Sequence, residues 1–147
     1  MKWGLTLITL VLIMLPTVLK AATADQIIGL WLNQDKDAKI EIYKTTSGKY
    51  AGKIAWMKNP NDENGNPKVD NLNPDPKLRT RLRFGLVIMS GLAFDEGKWE
   101  DGKIYDPKNG KTYSCKAELI DENTLHLRGF LGVSLLGRTN TWTRSKL

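Results

Sequence analysis

The feature that most limits the folds open to this chain is the recurrence of apolar residues at every second position, in one short segment after another, with Gly, Asn, Asp or Pro between segments. A period of two marks a strand with one face buried, whereas a helix would repeat at three and four. In residues 39–44, Ile40 and Ile42 share a face, and 45–48 supplies turn chemistry. In 49–58, Tyr50, Gly52, Ile54 and Trp56 fall on one side; in 111–120 it is Tyr113, Cys115, Ala117 and Leu119. Leu125, Leu127, Gly129 and Leu131 share a face in 124–131, and Arg138, Asn140, Trp142 and Arg144 do so in 137–144. A first strand at 29–33 behind a short capping segment, an apolar run at 84–92, and short strands around Trp99 and Ile104 complete a set of eight or nine. No credible long helix follows residue 24. Residues 59–80 interrupt the pattern with Pro60, Pro67, Pro74, Pro76 and frequent Asn and Asp. Because strands resume afterwards, they read as one long ordered loop or lid, with a helical turn near 75–81, and not as a linker.

Short strands at hairpin spacing predict an all-β fold, a sandwich or a barrel. An antiparallel up-and-down barrel is favoured, because a meander of this length closes at eight strands and so abolishes exposed edges. Such a barrel can hold one small ligand.

The first 24 residues follow another rule. Met1-Lys2-Trp3 is a short basic start, 4–19 is almost free of polar groups, and Ala22-Thr23-Ala24 is a small-residue cleavage site; together they read as a secretory signal peptide. The rival, a permanent anchor, wants about 20 apolar residues without such a site at its end. Cleavage after Ala24 leaves 25–147 as a single barrel domain, and the loss of Lys2 and Lys20 takes the formal charge from +6 to +4. No basic run with interleaved aromatics points to nucleic acid. Cys115 is the only cysteine, so no intrachain disulfide can form, and Asp25 stands where a lipoprotein needs its cysteine. The expectation is a periplasmic or secreted bacterial protein with no membrane anchor after cleavage, monomeric or homodimeric.

Taken in order, Gly29-Leu30-Trp31, Asp62-Glu63-Asn64-Gly65, Asn73-Pro74-Asp75-Pro76, Ile104-Tyr105-Asp106-Pro107, Gly110-Lys111-Thr112-Tyr113, and Leu135-Leu136-Gly137-Arg138-Thr139 through Trp142-Thr143-Arg144 resemble the bacterial domain of unknown function 2147 family. The resemblance spans essentially the whole mature chain and implies a small exported protein of lipocalin-like (calycin-like) barrel fold with no settled activity. Gly29-Leu30-Trp31 is also similar to the G-x-W that opens a lipocalin's first strand, where the Trp closes one barrel end against an Arg of the last strand. That likeness implies a barrel-closing role for Trp31, with Arg138 or Arg144 as its cationic partner.

Chemical signatures are sparse. His126, the sole histidine, lies opposite Leu125 and Leu127 on the outer face, so a histidine triad or multi-histidine metal site is unavailable within one chain. Cys115 faces inward without a histidine on its face and reads as an inert buried thiol. Aligning Gly65 with the sixth position of an EF-hand loop puts Pro60 and Asn71 where carboxylates are required, so a calcium reading fails. No nucleophile elbow, phosphate loop or paired Cys-x-x-Cys is present. No metal or cofactor is expected, and a non-enzymatic role is favoured.

The expected function is therefore binding of a small apolar or amphipathic molecule by Ile40, Ile42, Ile54, Trp56, Tyr113, Leu125, Leu127, Leu135, Leu136 and Trp142. The connection Gly132-Val133-Ser134-Leu135-Leu136 is unusually apolar. Two readings stay open for it: leucines that plug one barrel end, or an apolar rim around a ligand mouth. Other functional classes are an envelope interaction factor or inhibitor that uses the 132–136 loop, and a hydrolase working through Asp62, Glu63, Asp75 or Asp106.

Overall fold

The computed structural model describes residues 22–146; the expected signal peptide therefore lies almost wholly outside the described residues. Eight strands run β1 Gly29–Leu32, β2 Ala38–Lys44, β3 Tyr50–Met57, β4 Val87–Asp95, β5 Lys98–Asp106, β6 Lys111–Asp121, β7 Thr124–Phe130 and β8 Arg138–Ser145. Each pairs antiparallel with the next, and β8 returns to β1 through Trp31↔Arg144, closing the barrel. The two short strands expected around Trp99 and Ile104 are a single one, β5. It is kinked at Asp101, whose φ is 60°, and its register against β6 shifts between Trp99 and Gly102. β4 starts at Val87, so Phe84 belongs to the preceding loop and is exposed.

Up-and-down connectivity sends alternate connections to opposite ends. Residues 45–49, 96–97 and 122–123 turn at one end, the base, while 33–37, 58–86, 107–110 and 131–137 connect at the other, the rim. At 96–97 both residues have positive φ, 47° for Glu96 and 85° for Gly97, the twist that a two-residue hairpin turn requires.

The base is sealed by the segment before β1. A single 3-10 turn, Ala24–Ile27, places Ile27 fully inside the core. Three buried aromatic side chains direct their polar tips at this segment. Trp31 Nε1 donates to the Ile27 carbonyl at 2.8 Å, Trp99 Nε1 to the Ala24 carbonyl at 3.1 Å, and the Tyr50 hydroxyl to Asp25 Oδ1 at 2.5 Å. Large aromatic bodies thus fill the base without leaving a buried donor unpaired. Arg144 covers the seal from outside: its guanidinium carbon lies 4.2 Å from the centre of the Trp31 ring. Gly29 makes that approach feasible, since at its φ of 137° a Cβ would stand 2.8 Å from Arg144 Nη1.

Below the middle of the barrel the interior is solid. Trp31, Ile42, Tyr50, Met89, Leu92, Trp99, Cys115 and Leu125 are all buried to within 1 %. Burial pushes the Cys115 thiol up to about 12, which leaves it protonated and inert at neutral pH.

Candidate functional site

Toward the rim the packing stops and a cavity of about 900 Å³ opens. Its volume lies in the range of small-molecule sites. The floor and walls include Ile40, Ile54, Ile88, Ile104, Leu127 and Trp142, with Tyr105 and Tyr113 among them. Polar and charged groups gather toward the rim connections: Asn33, Asp35 and Asp37 from 33–37, Lys68 and Arg83 from 58–86, Asp106 and Lys108 beside 107–110, and Arg138 at the start of β8.

Of the residues expected to bind, Ile40, Ile54, Tyr113, Leu127 and Trp142 line this cavity. Ile42 and Leu125 do not: they point inward as their parity requires, but at the level of the solid base. Trp56 is a correction of a different kind, since it lies outside the barrel and is 37 % exposed. Between Ile40↔Ile54 and Lys39↔Trp56 the ladder skips Ala55, a β-bulge that reverses the parity of the rest of β3. Trp56 therefore stands under the Lys39 ammonium, 5.4 Å from its ring centre, and Met57 takes the inward place, paired with Ala38. Both Met57 and Ala38 line the cavity, and an unbroken alternation could not have found them. Ile88, Tyr105 and Phe130 line it too, although alternation from Met89, Ile104 and Leu127 assigns them the other face; at Ile88 the ladder to β3 skips a residue.

Arg138 must also be reassigned. It starts β8 at the rim, exposed and lining the cavity, so it closes nothing; Arg144, at the other end of the strand, is the partner of Trp31. The 131–137 connection does not plug the barrel. Leu135 is 87 % and Leu136 79 % exposed, and Leu131 and Val133 are exposed beside them. Arg128 fixes this shape by donating from Nε to the Ser134 carbonyl at 2.7 Å and from Nη2 to that of Leu135 at 3.1 Å. Leu136 reaches the cavity edge, whereas Leu135 does not line it.

The long loop, which the sequence suggests as a lid, is anchored through a residue that the sequence did not single out. Asp70 is completely buried and accepts from the Tyr105 hydroxyl at 2.5 Å, Asn73 Nδ2 at 2.8 Å, and Arg81 Nε and Nη2, each at 2.9 Å. Burial acts to raise its pKa, but the donors from Tyr105, Asn73 and Arg81 outweigh it and hold the carboxyl below the usual range. Since Tyr105 belongs to β5, this carboxylate binds the loop to the barrel wall. The loop also passes against the β5–β6 turn so closely that a Cβ at Gly110, whose φ is +72°, would collide with the Leu72 carbonyl oxygen.

A second contact crosses the rim. Lys108, in the β5–β6 turn, reaches Asp37 Oδ2 at 2.6 Å and Asp35 Oδ2 at 3.4 Å in the β1–β2 connection. Four strands separate these turns in an eight-strand ring, so the ion pair spans the mouth. Partial burial works against both charges. The Lys108 bond still outweighs it at Asp37, with help from Asn33, and lowers that carboxyl; the bond to Asp37 correspondingly raises the Lys108 ammonium.

Of the carboxylates considered for hydrolysis, Asp62, Asp75 and Asp106 are separate turn caps. Asp62 Oδ1 accepts from the amides of Asn64 and Asn66, Asp75 Oδ1 from that of Lys77, and Asp106 Oδ1 from that of Lys108. Only Asp106 of the candidate acids lines the cavity. His126 pairs across the strands with Glu118 and Thr141 and does not line it either.

Comparison with known proteins agrees with this architecture. The model of a family described as uncharacterized proteins conserved in bacteria, DUF2147, matches residues 29–144. Among solved structures, the chain is similar to protein HP1028 from the human pathogen Helicobacter pylori, described as belonging to the lipocalin family. The two are 26 % identical with a TM-score of 0.71, over 81 % of this chain and 82 % of that one. Among curated proteins, none matches.

Proposed function

This chain belongs to the DUF2147 family, and we propose that it binds a small apolar or amphipathic molecule inside its barrel. The observation that carries the reading is the half-filled interior: a solid aromatic base beneath an apolar-walled cavity of about 900 Å³ that opens at the rim. A barrel needed only as a scaffold would bury more apolar surface by packing through to both ends. The lipocalin description of the Helicobacter pylori neighbour supports the same reading. In this proposal the protein acts in the bacterial periplasm or outside the cell after cleavage behind Ala24, as a carrier or receptor and not as an enzyme. Native mass spectrometry of protein purified from its own envelope tests it. A co-purifying small molecule supports the reading; bare protein that also fails to take up an apolar fluorescent probe overturns it.

A second reading has its own observation. Leu131, Val133, Leu135 and Leu136 form an exposed apolar lip on one connection, of the kind that marks a protein contact. An envelope interaction factor or inhibitor would need this lip and not the cavity. Replacing Leu135 and Leu136 with Ser would then abolish partner binding and leave probe uptake unchanged.

A further inference from the structure

The inward face of β8 changes character step by step along the barrel axis. Trp142 lies in the apolar part of the cavity, Asn140 is one step nearer the rim, and Arg138 is at the rim itself; all three line the cavity. The rest of the rim is asymmetric in charge. Three carboxylates line the cavity, and two of them, Asp35 and Asp37, share the single ammonium of Lys108. Three further cations line it, Lys68, Arg83 and Arg138, and none has a carboxylate within ion-pair distance among the described residues. Arg83 is held in place by the Val69 carbonyl and the Asn71 amide oxygen, both neutral acceptors. Over the whole lining four cations face three carboxylates, a net charge of +1, and two of those carboxylates lie at Lys108 and not at the other three cations.

Resting on the reading of the barrel as a binding site, we infer that its ligand is an anionic amphiphile. The apolar body occupies the cavity beside Ile40, Leu127 and Trp142, and the acidic head group lies at the rim against Arg138, with Lys68 and Arg83 adding to the field. The physical reason is electrostatic. An apolar-walled cavity gives no preference among head groups, but guanidinium and ammonium groups at its edge, lacking an internal counter-ion, attract a carboxylate or phosphate and repel an ammonium. An arginine suits this task because its planar fork can meet two oxygens of one acid group.

The test compares three probes with one dansyl-undecanoyl body: the free acid, its methyl ester and an amine-terminated analogue, titrated into the wild-type protein and into Arg138→Gln. The acid is expected to bind about tenfold or more tighter than the ester in low salt. That advantage should shrink as ionic strength rises. Arg138→Gln should remove most of it and leave the affinity for the ester unchanged. Competition with decanoate and with decyl phosphate then distinguishes a carboxylate from a phosphoryl head. Equal binding of acid and ester, or a preference for the amine, overturns the inference while the barrel remains a binding site. Failure of all three probes overturns both readings. Because the acid-to-ester comparison is made on the wild-type protein, the inference stays open to refutation even if the variant folds poorly.

Discussion

Arg144 lies over the ring of Trp31 and at the same time donates to three carbonyls: Gln26 from Nη2 at 2.7 Å, Ile28 from Nη1 at 3.0 Å and Glu122 from Nε at 2.7 Å. One side chain therefore connects the segment before β1, the β6–β7 turn and the indole that closes the base. Arg144→Ala should lower the free energy of unfolding by about 2–3 kcal/mol, since it removes a stacked cation and several charge-assisted hydrogen bonds. Arg144→Lys should restore less than half, because an ammonium cannot reproduce the fork. Trp31→Ala should cost about 3–5 kcal/mol. Urea denaturation checks all three; a loss below about 1 kcal/mol for Trp31→Ala would place the seal elsewhere.

Asp70 is the residue on which the long loop depends. Asp70→Asn keeps the shape but removes the charge and turns an amide donor toward Arg81 or Asn73, so stability should fall by about 2–3 kcal/mol. Limited proteolysis should then cut first within residues 58–86. An unchanged cleavage pattern would mean that the loop is held by its other contacts.

The Lys108–Asp37 pair across the mouth should respond to pH at both extremes. Asp37 is lowered in the folded state, so its contribution is present above the unfolded carboxylate value of about 3.9 and is lost as pH falls through the lower folded value. Lys108 is raised, so its contribution is complete below about 10.4 and is lost only as pH climbs past the higher folded value. Escape of a bound probe should accordingly be flat from about pH 5 to 9 and accelerate in stronger acid. Lys108→Met should show the fast rate already at neutral pH, with a stability change within about 1 kcal/mol because the pair is half exposed. Stopped-flow dilution measures both; equal rates in the two proteins at pH 7 would show that the pair does not gate the mouth.

Leu135 and Leu136 offer a sharp contrast with core leucines. Replacing both with Ser should change stability by less than about 1 kcal/mol, as expected of surface positions, and weaken an apolar probe if the lip guides entry. A loss of about 4 kcal/mol or more would mean that they are buried in solution.

The proposed cleavage behind Ala24 has a consequence for the base. N-terminal sequencing should find Asp25. The Ala24 carbonyl that accepts from Trp99 is absent from a chain starting there, so a chain starting at Ala22 should be more stable by about 1 kcal/mol.

Much of this was legible in the sequence, and the limits are physical. Alternation reports which face a residue takes, which is why the barrel and the inward Cys115 could be read; the partnership of Trp31 with a C-terminal Arg came from the likeness of Gly29-Leu30-Trp31 to a lipocalin's first strand. It does not report depth. Ile40 and Ile42 have the same parity, yet one lines the cavity and the other belongs to the solid base; only the stagger between strands separates them. Nor does it foresee a bulge: the extra residue at Ala55 carries no warning in its neighbours, and it exchanges Trp56 for Met57. Asp70 was hidden for another reason. Its partners Tyr105 and Arg81 lie 35 and 11 positions away, beyond any local pattern.

The division of connections between the two ends has a consequence for how such a protein can change over generations. Turns at 45–49, 96–97 and 122–123 border the aromatic base, whereas the long connections at 58–86 and 131–137 border only the mouth. A substitution, insertion or exchange in the latter pair need not disturb the residues that close the ring. Specificity and foldability are thereby inherited on separate stretches of chain, and new preferences can be explored at the rim, by selection or by grafting, without refounding the barrel.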